Sequence, residues 1–358
     1  MTVSTRIRTG LMAGAGLVAM LGASMATAQE TVMKVNHVAS ANTPVQVCLE
    51  VMEGYMERMS SNRYDVQIYP AAQLGNFRQS VEAVQLGSLE LSFTTGGGIS
   101  NLFGPIQAFD IPYLLKNDRV VNKVMEDPQL NKLLGDDILE ALQTVRMVGM
   151  TGNHGWRSFF IDKGPTTNLP ADWEGKKIRT IESPISMELA RAVGLSPTPI
   201  PWQELYTSLA TGIVYGTKNS LMDIISMDFQ QYLKYLFRDQ HTYIMFFWWM
   251  HDPYLQGLPP ELQTIFVDGM DRLKATCTGH FEVYTLPFYK QFAEAGGEIY
   301  VPTAEQRKFL LKGQVAVEKW FTDQFGSEYP DAIRAAVSRA EQAIAEDDMR
   351  VLGHKAMR

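Results

Sequence analysis

The chain has 358 residues, 20% of them charged and 46% hydrophobic, and a formal net charge of −7. A mildly acidic chain with no basic tract is a poor partner for nucleic acid or anionic lipid. Its length exceeds what one hydrophobic core serves, so two domains are expected.

The N-terminus reads as an export signal. Arg6 and Arg8 precede an apolar run, Leu11 to Ala23, and Ala26-Thr27-Ala28 gives a small-residue cleavage pattern before Gln29. The run is shorter than the ~20 residues a membrane-spanning helix needs, and no cysteine follows it to carry a lipid. Cleavage after Ala28 removes two arginines and no acid, leaving 330 residues with a formal charge of −9. No later apolar run reaches spanning length. An exported chain permits a disulfide, but the two cysteines, Cys48 and Cys277, are far apart in sequence, and two buried thiols are an equally good reading.

From residue 32 the pattern alternates strand and helix. Val32–His37 reads as a strand, and Asn42-Thr43-Pro44 opens a helix whose apolar face carries Cys48, Val51, Met52, Tyr55 and Met59. Tyr64–Tyr69 is a second strand, Phe77–Leu86 a helix and Leu89–Thr94 a third strand. This β-α-β-α-β order predicts a sheet with helices on its faces. Thr95-Gly96-Gly97-Gly98 follows, fitting no phosphate-loop spacing; it is read as a loop that leaves backbone amides and open space at a strand end. Helical segments run to about Leu142, then a strand over Val145–Met150. The alternation restarts at Trp156 and includes a strand over Lys177–Thr180, a helix opening near Trp202 and a polar turn ending in Asn219. Gln240–Met250 reads as one long strand. A helix from Leu258-Pro259-Pro260 continues toward Ala295, Glu298–Val301 is a short strand, and two amphipathic helices finish the chain.

Catalytic and metal signatures are missing. The six histidines form no HExxH or His-x-His pair, neither cysteine has a ligand at metal spacing, and there is no GxSxG. No cofactor is expected. Arginine is more informative: Arg179, between Ile178 and Thr180 on a core-packing strand, and Arg157, in the run GWRSFF, could together hold a carboxylate, since the guanidinium presents paired N–H donors. Trp202 could be ordinary core, Asn219 a turn residue, and Trp248 and Trp249, adjacent on a strand, point to opposite faces.

The segment GKKIRT…SP…AVGLSPTPIPWQELYTSLATGIVYGTKN, ending PIPWQELYTSLATGIVYGTKN at Pro199–Asn219, resembles the signature of the extracytoplasmic solute-binding proteins of TRAP transporters (the DctP type). Gln73–Gly75, AVQLGSLEL, Phe109–Leu114, His241–Tyr243 and Leu258–Gln263 fall in the order that family shows. The resemblance implies an α/β, two-domain, Venus-flytrap fold with strands crossing between domains and a long helix spanning both. The domains it suggests are 29–153 plus 245–284 and 154–244 plus 285–358.

The resemblance further implies a binding protein, not an enzyme. Arg179 would form the main salt bridge to a ligand carboxylate, helped by Arg157 and Asn219, with Trp202, Thr95 and His37 lining the pocket. The expected partners are a small organic anion and the TRAP membrane subunits, in the periplasm. A ligand-presenting protein for a membrane sensor, or an exported enzyme acting on a carboxylate, are the alternatives. Two departures from the family pattern stand out: Tyr215 and Lys218 occupy positions where acids are common, and glycines and aromatics (Phe246–Trp249) replace polar or small residues. They favour a bulky or partly apolar acid over a sugar acid and draw attention to Lys218 as a specificity position.

Overall fold

The computed structural model describes residues 30–353, apart from Asn153, Pro165 and the side chains at 280–282 and 284. The export signal lies outside the described residues. Strand and helix alternate as read through β1 (Thr31–Asn36), α1 (Pro44–Met59), β2 (Tyr64–Tyr69), α2 (Phe77–Leu86) and β3 (Leu91–Thr94). Next come a single helical turn, α3 (Gly96–Ile99), a 3-10 segment at Gly104–Asp110, α4 (Asp118–Met125), α5 (Pro128–Leu142) and β4 (Val145–Thr151). The second series runs β5 (Trp156–Ile161), β6 (Lys177–Thr180), α6 (Pro184–Ala192), β7 (Ser196–Pro199), α7 (Leu205–Ala210), β8 (Gly216–Asn219), α8 (Leu221–Ser226) and β9 (Tyr235–Tyr243). The chain then returns through β10 (Phe246–His251), α9 (Asp252–Gly257) and α10 (Pro260–Glu294) before β11 (Glu298–Tyr300), α11 (Ala304–Phe325) and α12 (Glu328–Leu352).

These strands form two sheets, ordered β2-β1-β3-β10-β4 and β11-β9-β5-β8-β6-β7. In the first, β1 runs parallel to β2 and β3, whereas β10, which arrives from the second sheet, is antiparallel to β3 and β4. In the second, β5 arrives from the first sheet and is antiparallel to its neighbours β8 and β9. Each sheet thus contains the strand that enters it from the other. The stretch expected as one strand over Gln240–Met250 is two: the chain leaves β9 at Tyr243 and enters β10 at Phe246, with Ile244 and Met245 between. Period-two patterning does not reveal the break, because both strands are buried on both faces and the apolar run continues across it.

Both faces of the first sheet are packed. Met33, Val35, Phe93, Trp248 and Met250 meet α1 and α10 on one side, and Phe247 and Trp249 face the opposite cluster. The adjacent tryptophans do point apart: Trp248 Nε1 donates to Thr151 Oγ1 and Trp249 Nε1 to Thr94 Oγ1. Helix α10 has 35 residues, about 50 Å at 1.5 Å per residue. Its N-terminal half packs on α1 and its C-terminal Phe292 in the core of the second sheet. Cys48 on α1 and Cys277 on α10 form a disulfide, both within the first sheet's core. Helix α11 lies along α6 of the second sheet's layer. Helix α12, grouped with the second domain by the sequence reading, instead lies against α4 and α5, held by Arg339–Asp127, Arg119–Asp348 and Lys116–Glu341. Its amphipathic stripe announced a packed helix without saying which layer it would cover. Among the described residues, no helix is long and apolar enough to cross a membrane.

Candidate binding site

The carboxyl ends of β1 and β3 meet those of β6 and β8 across a cavity of about 60 Å³, the place where α/β sheets collect ligand donors. Arg179, the third residue of β6, points into it from the second sheet and is 2% exposed. Its Nε donates to the Ile200 carbonyl at 3.0 Å and its guanidinium lies 5.7 Å from the Trp202 ring centroid, within cation–π range. Arg157, 7% exposed, lines the same cavity. The pairing of β5 with β9 slips between Arg157 and Phe159, and a bulge of this kind re-aims the side chain beside it.

Asn219 is the last residue of β8 rather than a turn residue. Its Oδ1 accepts from Thr217 and its Nδ2 donates to Asp223 Oδ2 at 3.1 Å. Trp202 and Thr95 also line the cavity, and Thr95 Oγ1 is buried without a hydrogen-bond partner. His37 does not line it. The ring is fully buried one layer back, bonded through Nε2 to Gln46 and stacked on Phe93, which does reach the cavity. Five of the six expected residues therefore converge.

Two ionisable lining residues, Asp223 and His154, were not expected. Asp223, on the first turn of α8, accepts from His154 Nδ1 at 2.5 Å while also holding Asn219 and the Ser220 amide. Burial alone raises the Asp223 carboxyl, but the neighbouring His154, the Asn219 hydrogen bond and Arg157 outweigh it and bring it down to about 2. The S-x-x-D spacing from Ser220 is readable as a capping box; His154 lies 69 residues away and carries no local signal. Arg179 is pushed down to about 9 by burial and by Arg157, against the pull of Asp223 and Glu182, and so remains a cation at neutral pH.

Lys218 faces away from the cavity. It follows the alternation of β8, pairs with Phe159 and donates to Ser186 Oγ at 3.0 Å on the α6 side. Burial, and then Arg157, lower it to about 7. The glycine segment is a helical turn, not a loop, and it touches the opposite half: a Cβ on Gly97 would stand 3.1 Å from both Ile181 and Ser183. Nearby, Gln107 Oε1 accepts from the Ile185 amide across the two halves.

Among the described residues neither Arg157 nor Arg179 has a carboxylate within ion-pair distance, so two buried cations share one site with the single acid Asp223, itself bonded elsewhere. Buried charge of one sign calls for an opposite partner. The same described residues contain no group of three or more histidine, cysteine and acidic side chains that could hold a metal.

The halves and the cleft between them are those of a solute-binding protein, and comparison places the chain more closely. Residues 35–323 match the family described as bacterial extracellular solute-binding protein, family 7 (DctP), and the chain belongs to that family. A solute-binding protein of Verminephrobacter eiseniae is 31% identical over 243 residues, 68% of this chain and 71% of the relative. The C4-dicarboxylate-binding periplasmic protein DctP of Rhodobacter capsulatus is 25% identical over 342 residues, 93% of this chain and 99% of its own. The crystal structure of a TRAP periplasmic solute-binding protein from Anaerococcus prevotii with bound D-glucuronate has a TM-score of 0.81 at 25% identity, covering 88% of this chain and 99% of that one. The two-sheet architecture is the two-domain fold of these proteins, and the family consists of periplasmic solute-binding proteins for transport, not enzymes.

Proposed function

We propose that this chain is exported with cleavage after Ala28, captures an organic acid in the cleft and delivers it to the membrane subunits of a TRAP transporter. Arg179 is the main anchor for the ligand carboxylate, with Arg157, Asn219 and Thr95 assisting and Trp202 fixing the Arg179 plane. His37 supports the wall from behind. The lobes that close are 29–153 with 245–284 and 154–244 with 285–325, α12 riding on the first. Closure removes water from the arginines and strengthens their attraction to the anion.

The observation that carries this reading is the pair of buried guanidinium groups lining one cavity with no carboxylate at ion-pair distance among the described residues. The relatives' names, a C4-dicarboxylate for one and a bound glucuronate for another, supply the ligand class to test. Calorimetric titration of a carboxylate panel against wild type and Arg179→Ala checks it. Loss of about 2–5 kcal/mol is expected, as for one removed partner of a buried charge pair; equal affinity in the variant would overturn the assignment.

A further inference from the structure

The two halves meet the ligand with different chemistry. All the charge comes from the second half, where Arg157 and Arg179 stand beside the His154–Asp223 pair. The first half contributes three polar side chains to the lining, and two are already engaged: Thr43 Oγ1 donates to the Ser40 carbonyl, and Ser40 Oγ donates to Met227 sulfur across the cleft. Of the three, Thr95 Oγ1 is without a partner, whereas Thr43 and Ser40 have spent their protons and can only accept. Opposite the arginines the wall is apolar: Phe77, Phe93 and Phe246, with ring centroids 4.2 Å apart for the last two, while Ile181 and Met227 add apolar surface from the arginines' own half. The cavity of about 60 Å³ is also well short of the ~150 Å³ apolar cavity that accepts benzene.

We infer that the cleft selects a compact monocarboxylate with an apolar tail, the carboxylate on the arginines and the tail on the phenylalanine wall. The two guanidinium groups stand together on one side of the cavity and present enough N–H donors to hold one carboxylate there. A second carboxylate would be driven against Phe93 and Phe246, a face that offers it little beyond the Nε2 of His154, and a poorly partnered buried charge is disfavoured. A sugar acid would press several hydroxyls on a face that is largely phenylalanine, with three hydroxyl oxygens of which two can only accept, and each hydroxyl left unpaired costs about tenfold in affinity. One oxygen beside the carboxylate is accommodated, because Thr95 Oγ1 and His154 Nε2 are buried and unpartnered at the polar end. The size sets this apart from a bulky acid, since the same aromatics that supply apolar surface also fill the space.

The inference rests on the arginine-anchored reading, and one experiment separates the two. Isobutyrate, 2-hydroxybutyrate and 2-oxobutyrate are titrated against succinate, gluconate and benzoate, on wild type, Arg179→Ala and the near-isosteric wall variant Met227→Gln. The short monocarboxylates should bind wild type at least about tenfold tighter than the other three acids. Met227→Gln should narrow the ratio of isobutyrate to gluconate affinity by about tenfold while the protein stays folded by calorimetry. Succinate or gluconate binding more tightly than the short acids, with the binding lost in Arg179→Ala, overturns the tail assignment and leaves the arginine anchor standing. Binding of no acid, or binding indifferent to Arg179→Ala, overturns both.

Discussion

Asp223 shows how much of the site is electrostatics among the protein's own residues. Its carboxylate accepts from His154, Asn219 and the Ser220 amide at the start of α8 at once, so it orients the amide beside the ligand position. Its folded value near 2 lies below the ordinary 3.8. The unfolded chain therefore takes up the proton first as pH falls, and the stability this group contributes is present above about pH 4 and lost as pH falls toward 2. The difference corresponds to roughly 2 kcal/mol. Asp223→Asn should unfold with a midpoint that is lower at pH 6 and converges on wild type by about pH 2, read by chemical denaturation across pH. Residues of this kind are where sequence reading ends. Arg179, Arg157, Asn219, Trp202 and Thr95 sit on recognisable motif positions and reach the cavity, whereas His154 acquires its meaning from a partner 69 residues away. Lys218 illustrates the converse: it neighbours Asn219 in sequence, yet strand alternation sends it to the other face, toward Ser186.

At the scale of elements, the site depends on where strands stop and on what can approach them. The strand and helix order through β3 and from β5 to β7 was legible, because apolar periodicity and caps change sharply there, whereas β8 was read as a polar turn. The break between β9 and β10 was not, since the apolar run Tyr243–Met250 is continuous while the backbone passes from one sheet to the other. The turn α3 was read as a loop because three glycines carry no helix signal. Its glycines have a steric meaning instead: Gly97 is held against Ile181 and Ser183 of the other half. Its backbone angle tolerates a side chain, so the obstacle is space alone. Gly97→Val should hinder closure and weaken ligand binding by about tenfold or more, from an overpacking cost of 1–3 kcal/mol. Thermal unfolding without ligand should change little, and unchanged affinity in the variant would show that α3 does not press on the second half during binding.

At the scale of the molecule, the two sheets, the crossing strands and the long helix follow the expectation from motif order, and the surprise lies at the C-terminus. Helix α12 covers α4 and α5 while α11 covers α6, so the chain's last two helices clasp both layers. The disulfide has a different reach, tying α10 to α1 inside one layer only. Replacing both cysteines, Cys48→Ser with Cys277→Ser, should lower unfolding free energy by about 2–5 kcal/mol. Ligand affinity should be unchanged, because neither sulfur lines the cavity; a loss of affinity larger than the loss of stability explains would tie the bond to closure.

The placement of β10 has a consequence for the order of assembly. The first sheet has no continuous middle until β10 slides between β3 and β4, and β10 begins at residue 246. A chain emerging from its N-terminus therefore makes every strand of the second sheet but β11 before it can finish the first. Such sequence-distant pairings close slowly. The N-terminal strands must wait, unfinished and open at β3, until the rest arrives, and the only two thiols of the chain cannot meet until residue 277 has followed. Oxidation thus reports that assembly of the first layer is complete.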